Sequence, residues 1–225
     1  MKLFFQYCSY GFSNCYILGS DKSSGQETAG NFAVFADSEN ENHDRQRAAI
    51  IVDPGSMEKV TLETIENNNF DLKAVLITHE HLGHVRGLRT LKRIYNAEVF
   101  AVNQSVMDYK TNMVKDGDYF NIADMVVEVI SIPGHSSDSA VYRIGNLLFT
   151  GDVLTAGLVG STASAYGAKT QMNKLRSRLL SLPGDYVVLP GHGPPSTLEA
   201  ERRFNADIHR YDENRAKRPA FKVDF

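Results

Sequence analysis

Cysteine is nearly missing from these 225 residues: Cys8 and Cys15 are the only two, and neither stands in a CxxC pair. Two thiols cannot build a disulfide framework, so they read as small buried hydrophobes in a reducing compartment, and the chain as cytoplasmic. No stretch approaches the roughly 18 apolar residues of a membrane span. The opening MKLFFQYCSYGFSNC is broken by Gln6 and Ser9 before an apolar signal core forms, so neither a leader nor a membrane partner is expected. A strong excess of either charge is missing too. With 24 basic and 27 acidic residues the net charge is −3, which gives no overall field to attract a phosphate backbone. Nucleic acid is therefore not an expected partner, and a small molecule is. No repeat and no linker-like break is visible, which points to a single domain over 1–225.

The chain is well supplied with short apolar runs that end at turn residues. Strands are expected over 2–7, 15–19, 32–36 and 49–53, with polar loops at 19–31 and 37–47, so the fold opens as an antiparallel sheet. A helix that Ser56 would cap follows, then an apolar strand ending near Ile77, then a helix with Leu88, Leu91 and Tyr95 on one face. Further strands are expected over 125–132, 140–144, 147–150 and 186–189. Between the last two lies a helix near 168–182 that buries Met172, Leu175 and Leu179. A final helix, opening with Ser196 and Glu199 at capping-box spacing, is expected to bury Phe204, Ile208 and Tyr211. The polar end from about Arg215 is expected to fray.

Histidine is where the sequence becomes specific. Five of its seven histidines fall in three turn-like places: THEHLGH at 78–84, PGHSSDS at 133–139 and PGHGPP at 190–195. FTGDVL lies between the last two and puts Asp152 at the end of an apolar strand. Loops at strand ends are where a rigid scaffold presents ligands, and imidazoles with one carboxylate suit zinc, iron or manganese. The pair His79/His81, two residues apart in an irregular loop, can turn both rings to one metal. The basic residues Arg86, Arg89, Lys92 and Arg93 after His84 read as a solvated helix face.

In combination and order these pieces resemble the metallo-β-lactamase superfamily, whose pattern is THxHxDH, a PGH turn, GD, and a further GH. PGHSSDSAVY, LLFTGDVLTAG and LPGDYVVLPGHGPPSTLEAERRFN are most similar to its hydroxyacylglutathione hydrolase, or glyoxalase II-like, branch. The resemblance implies an α/β fold, a four-layer αββα sandwich with metals at one edge between the sheets. It implies that His79, His81 and His135 hold a first metal, that His84 and His192 hold a second, and that Asp152 bridges them as the catalytic carboxylate. Asp53 matches a family position expected to bond within its turn or to orient a ligand histidine, and Thr78 is expected to do similar work.

One position departs from the pattern: Gly83 stands where the family has an aspartate ligand of the second metal. The neighbouring acids Glu80 and Asp138 are weak substitutes by position. Two readings of Gly83 stay open, an open coordination position for an anionic substrate group and simple loss of the second metal. The segment AGLVGSTASAYGAKT after Asp152 does not reproduce the pattern of basic and aromatic residues with which glyoxalase II-like enzymes hold their thiol. The chain also ends too soon after PGHGPP for their additional helical domain, so a glutathione thioester is not the expected substrate. The function implied is a hydrolase acting through metal-bound hydroxide on an ester, thioester, lactone or phosphoester, with one or two zinc ions as cofactor and iron or manganese as alternatives. Two rivals remain: a mononuclear iron dioxygenase of the persulfide dioxygenase type, using His79, His135 and Asp152, and a non-catalytic metal-binding protein with a degenerate site.

Overall fold

The computed structural model of the chain describes residues 1–23 and 46–216. The strand expected over 32–36 and the tail beyond 216 lie outside them. In chain order the elements begin β1 (Lys2–Cys8), β2 (Ser13–Ser23), β3 (Arg47–Val52), α1 (Lys59–Asn67), β4 (Phe70–Leu76), α2 (Leu82–Val85), α3 (Leu88–Ile94) and β5 (Glu98–Ala101). Three two-residue strands follow, β6 (Ser105–Val106), β7 (Tyr109–Lys110) and β8 (Asn112–Met113). The second half holds β9 (Tyr119–Ile122), β10 (Met125–Ser131), β11 (Ala140–Ile144), β12 (Leu147–Gly151), β13 (Leu154–Thr155), β14 (Leu158–Val159) and α4 (Ala165–Lys174). It closes with β15 (Val187–Pro190), β16 (Ser196–Thr197), α5 (Leu198–Phe204) and α6 (Ala206–Ala216).

Two six-stranded sheets form, in the orders β1-β2-β3-β4-β5-β8 and β16-β15-β12-β11-β10-β9. The run AAIIV of β3 is apolar throughout because both of its faces are covered. Ile50 and Val52 join Tyr16, Leu76, Tyr142 and Phe149 between the sheets, while Ala49 and Ile51 point outward onto Ile65, Leu88 and Leu91 of the helices. The outer face of the second sheet meets Met172, Leu175, Leu179, Leu198 and Ile208. Each such burial stabilises by roughly 1.5–3 kcal/mol per large side chain. Helix, sheet, sheet, helix is the four-layer α/β sandwich expected.

Several details differ from the sequence reading. The first sheet opens antiparallel, but β3, β4, β5 and β8 pair parallel, because α1 carries the chain back between β3 and β4. β2 runs on to Ser23, into the segment expected as loop. Ser56 does not cap α1: Glu58 is its N-cap residue, and the Ser56 hydroxyl is spent on Glu58 Oε1 at 3.1 Å. The helix expected to end near Leu182 begins at Ala165 and continues past Lys174 as a wider π-turn over Leu175–Leu180. The last helix is two. Asn205, fully buried, accepts from the backbone N–H groups of Asp207 and Ile208 and so caps α6, which breaks the run. Thr197, not Ser196, caps α5 by accepting from Ala200 N. Ile208 is buried as expected, whereas Phe204, at the break, is 75% exposed.

The topology sets the ends of several strands at one edge. β3 lies parallel to β4, and β12 parallel to β15, so their carboxyl ends point the same way, and Asp53, Ile77–His79, Asp152 and His192 follow them. β10 and β12 are each antiparallel to β11, so β10 also ends at this edge and His135 follows it. Tyr142 on β11 fixes the edge from within: fully buried, it donates its hydroxyl to the carbonyls of Ile77 at 3.0 Å and Phe100 at 3.3 Å. Phe100 O keeps the amide of Ile77 as a second donor. Tyr142→Phe is therefore expected to strand one buried carbonyl and lower stability by about 1–3 kcal/mol, seen as a lower denaturant midpoint at unchanged slope.

Candidate metal centre

Six side chains converge at this edge. His79 Nε2 lies 3.0 Å from His81 Nδ1, which lies 3.0 Å from His135 Nε2. Asp152 Oδ2 stands 3.7 Å from His79 Nε2 and 3.5 Å from His135 Nε2. The same Oδ2 is 3.4 Å from His192 Nε2, while Oδ1 is 3.5 Å from His84 Nε2. The structure thus forms two donor sets that share a carboxylate, His79/His81/His135/Asp152 and His84/His192/Asp152, and a third, fully buried grouping of Asp53 with His79 and His84 behind them.

The first set fits a metal by its spacing. Donors about 2.0–2.1 Å from a tetrahedral zinc are about 3.3 Å from one another, and the four atoms here are separated by comparable distances. Pairing cannot explain the cluster, since three imidazole nitrogens facing each other cannot all find a proton partner. In the second set both ring nitrogens of buried His84, and Asp152 Oδ1, are without a well-formed hydrogen bond among the described residues.

The surroundings turn the correct nitrogen inward at four of the five histidines. Thr78 gives its hydroxyl proton to Asp53 Oδ2 at 2.6 Å, so its oxygen accepts from His79 Nδ1 at 3.1 Å and leaves Nε2 as the free donor. Asp53 also receives the amide of Thr78 at 2.8 Å and faces His84 Nδ1 at 3.2 Å. His135 Nδ1 donates to Ser161 O at 2.8 Å, and His192 Nδ1 to Phe12 O at 2.8 Å. The His192 turn is clamped from the other sheet: buried Asn14 donates to Pro190 O at 2.9 Å and to Gly193 O at 2.7 Å, and Tyr16 Oη to Pro190 O at 2.7 Å. Gly191 is needed for closeness, since a Cβ there would lie 2.4 Å from Asp152 Oδ1 and 2.6 Å from His84 Cε1.

Ser161, Phe12, Asn14 and Gly191 escape a reading of the sequence. The first two act through backbone carbonyls, which carry no side-chain signature; Asn14, a polar residue entering a buried strand, leaves a faint one. Glu80 and Asp138 do not join either set. Asp138 Oδ2 accepts from the amide of Glu80 and from Asn103, while Glu80 accepts from Asn103 and the amide of Met107, so both acids pin the loop beside the histidines. Arg86 stacks over the ring of Tyr10, 3.7 Å from its centroid, and Arg89 and Arg93 are exposed.

Charge separates the two sets in the metal-free protein. Burial, then the charge of His84, pushes His79 down to about 3, and burial lowers His81 as well. For His84 burial acts in the same direction, but the carboxylates of Asp152 and Asp53 outweigh it and raise it to about 10. Asp152 raises His192 too. Asp152 itself is buried, yet His192 and His84 hold its carboxyl well below the usual carboxylate range. A metal entering the second set must displace the proton of His84, and competes with the raised His192, whereas His79 and His81 are lowered toward the neutral form. Zinc affinity of the second set is expected to rise with pH between about pH 6 and pH 8, by about tenfold per unit for the proton on His84, and more steeply than that of the first. Calorimetric titration across that range checks it; equal slopes would contradict the charge assignment.

A mixed-sheet sandwich with histidine turns and a shared aspartate at the strand ends is the architecture of the metallo-beta-lactamase superfamily. The chain belongs to that superfamily, whose sequence profile matches residues 44–192. Among curated relatives, a hydroxyacylglutathione hydrolase of Chromohalobacter salexigens is 34% identical over 152 residues, covering 66% of this chain and 58% of the relative. The chain thus spans little more than half of that enzyme. Hydroxyacylglutathione hydrolase GloC of Haemophilus influenzae is 26% identical over 186 residues, covering 72% of this chain and 88% of that one. The crystal structure of ETHE1 from Myxococcus xanthus shares the fold with a TM-score of 0.75 at 22% identity, covering 97% of this chain and 92% of that chain.

Proposed function

We propose that this protein is a metal-dependent hydrolase that opens a thioester or a related ester of a small, anionic molecule. The observation that carries the reading is Asp152 shared between two histidine sets, an arrangement suited to two cations side by side. Zinc, in one or two ions, is the proposed cofactor, with iron or manganese as alternatives. A divalent cation held there supplies Lewis acidity and lowers the pKa of water toward about 7, so turnover is expected to rise with pH through that value. The chain's own residues supply the rest. Asp53, Thr78, Ser161 and Phe12 hold four imidazoles with Nε2 inward, which removes the cost of reorganising them. His79 and His84, each 1% exposed, form a dry floor. His81 is exposed and His192 partly so, leaving that side open to a substrate carbonyl.

Relatives that are hydroxyacylglutathione hydrolases support thioester cleavage, while the segment after Asp152 supports a thiol other than glutathione. The dioxygenase reading would leave His81 idle, although its Nδ1 is 3.0 Å from both His79 Nε2 and His135 Nε2. The test is metal analysis of protein purified without added metal, followed by a panel of acyl thioesters and esters with thiol or acid release as readout. Bound zinc or manganese with turnover on the panel supports hydrolysis. A single iron with oxygen uptake on persulfide would replace this reading with the dioxygenase, and no metal with no turnover would replace it with the non-catalytic one.

A further inference from the structure

A cavity of about 280 Å3 adjoins the segment that holds His135, and the metal chemistry makes no use of it. Gly160 and Ser161 are in its wall, and the Ser161 carbonyl is the acceptor for His135 Nδ1. Val159 of β14, Met172 of α4 and the ring of Tyr211 on α6 supply an apolar surface. The charged residues of its wall sit together on α6: the Asp207 carboxylate lies 3.4 Å from the Arg210 guanidinium. Asp207 is fixed, because its Oδ2 accepts the amide of Val159 at 3.0 Å. Arg210 is 72% exposed and, among the described residues, contacts Asp207 alone, so most of its N–H groups are free for another acceptor.

Gln171 adds an independent sign. It is fully buried in the cavity wall, and its Nε2 donates to the carbonyls of Val153 at 3.3 Å and Gly160 at 3.1 Å. Two carbonyl partners settle which end of the amide is nitrogen. Its Oε1 is then left with no donor among the described residues, a buried, unpaired partial negative charge on a residue of the same wall. The cavity wall therefore offers a carboxylate and a guanidinium side by side on α6, with an apolar patch next to them. A plain carboxylic acid would answer Arg210 and be repelled by Asp207; a plain amine would meet the reverse.

We propose that this cavity binds a small zwitterion with an apolar side chain, of the α-amino acid class. Its ammonium group lies toward Asp207 and Gln171, its carboxylate pairs with Arg210, and its side chain packs on Val159, Met172 and Tyr211. The size suits such a molecule, falling just under the roughly 300–1,000 Å3 of pockets that take larger ligands. Ser161 belongs to both places, so the occupant sits one peptide from the carbonyl that turns His135 Nε2 inward. The site stands whichever reaction the metal centre runs.

The experiment is an NMR titration of the full chain with L-leucine, L-methionine and L-phenylalanine, and in parallel with 3-methylbutylamine and 4-methylpentanoate, the two halves of the leucine head group. At least one amino acid is expected to shift the methyls of Val159 and Met172 and the amide of Ser161, and each half-ligand to bind at least about tenfold more weakly. Arg210→Gln and Asp207→Asn are each expected to weaken the amino acid by about tenfold or more with the thermal unfolding midpoint unchanged, since asparagine still accepts from Val159 N. No shift at these residues with any of the three amino acids, or equal binding of amino acid, amine and acid, would overturn the proposal.

Discussion

Asp152→Ala is expected to strip metal from both donor sets at once and to abolish turnover. Asp152 is the one side chain common to the two sets, with Oδ2 facing His79, His135 and His192 and Oδ1 facing His84. Loss of groups that merely orient a ligand costs roughly 10- to 100-fold in metal affinity, so loss of a donor should cost at least about 100-fold, or about 2.7 kcal/mol. Glu80 and Asp138 do not take its place, because both are engaged in the adjoining loop, and Asp53 faces the far nitrogen of His84, Nδ1, while it holds Thr78. His135→Ala provides the contrast. It removes a donor from the first set alone, and is expected to abolish the tighter calorimetric event while a weaker one persists. An isotherm unchanged by either substitution would remove the assignment.

Gly83→Asp should act in the opposite sense, tightening the second set. Its hypothesised role is an open coordination position for an anionic group, motivated by the donor count: His84, His192 and Asp152 are three where the superfamily pattern has four. Neither space nor backbone demands glycine here. A Cβ at Gly83 would meet only the Cα and O of Gly11, at 3.6 and 3.7 Å, both ordinary contacts. The converse positions are different, since a Cβ on Gly11 would lie 2.6 Å from Gly83 Cα, and one on Gly55 2.0 Å from Gly83 O. An added carboxylate is expected to raise second-metal affinity by at least about tenfold, or about 1.4 kcal/mol, and to weaken competitive inhibition by phosphate, because one unit of positive charge is cancelled. Tighter metal with unchanged phosphate inhibition would favour simple loss of the second metal as the history of Gly83. If neither quantity moves, position 83 does not face the donors and the hypothesis fails.

The histidine turns and Asp152 could be read as a group because each follows an apolar run, and a strand end is a defined place. The sandwich was legible only through the resemblance those turns carry: the run AAIIV of β3 is apolar on both faces, but β4 carries Asp71 and Lys73, and periodicity alone does not single out this architecture. What could not be read is mostly backbone. The carbonyls of Ser161 and Phe12 orient two histidines, yet any residue at either position would present the same oxygen. The parallel pairing of β3 with β4 depends on α1 crossing over, which periodicity does not report. The run from Ser196 to Tyr211 looks like one helix because its apolar spacing is continuous, and only the three-dimensional burial of Asn205 turns a neutral residue into the cap that divides it.

The clamp by Asn14 has a kinetic meaning. It joins β2 in the first sheet to the turn after β15 in the second, across 176 positions of sequence. Such a contact closes late, since the entropy of a long loop must be met before the contact repays it. His192 is therefore expected to take its place after both sheets have paired, and a local opening of that turn to release it before the other donors. The centre is in this sense a late-assembling seam between two halves of the chain. A cation that binds across it would bind the finished fold and not its precursors, slowing the first step of unfolding as much as it favours the folded state.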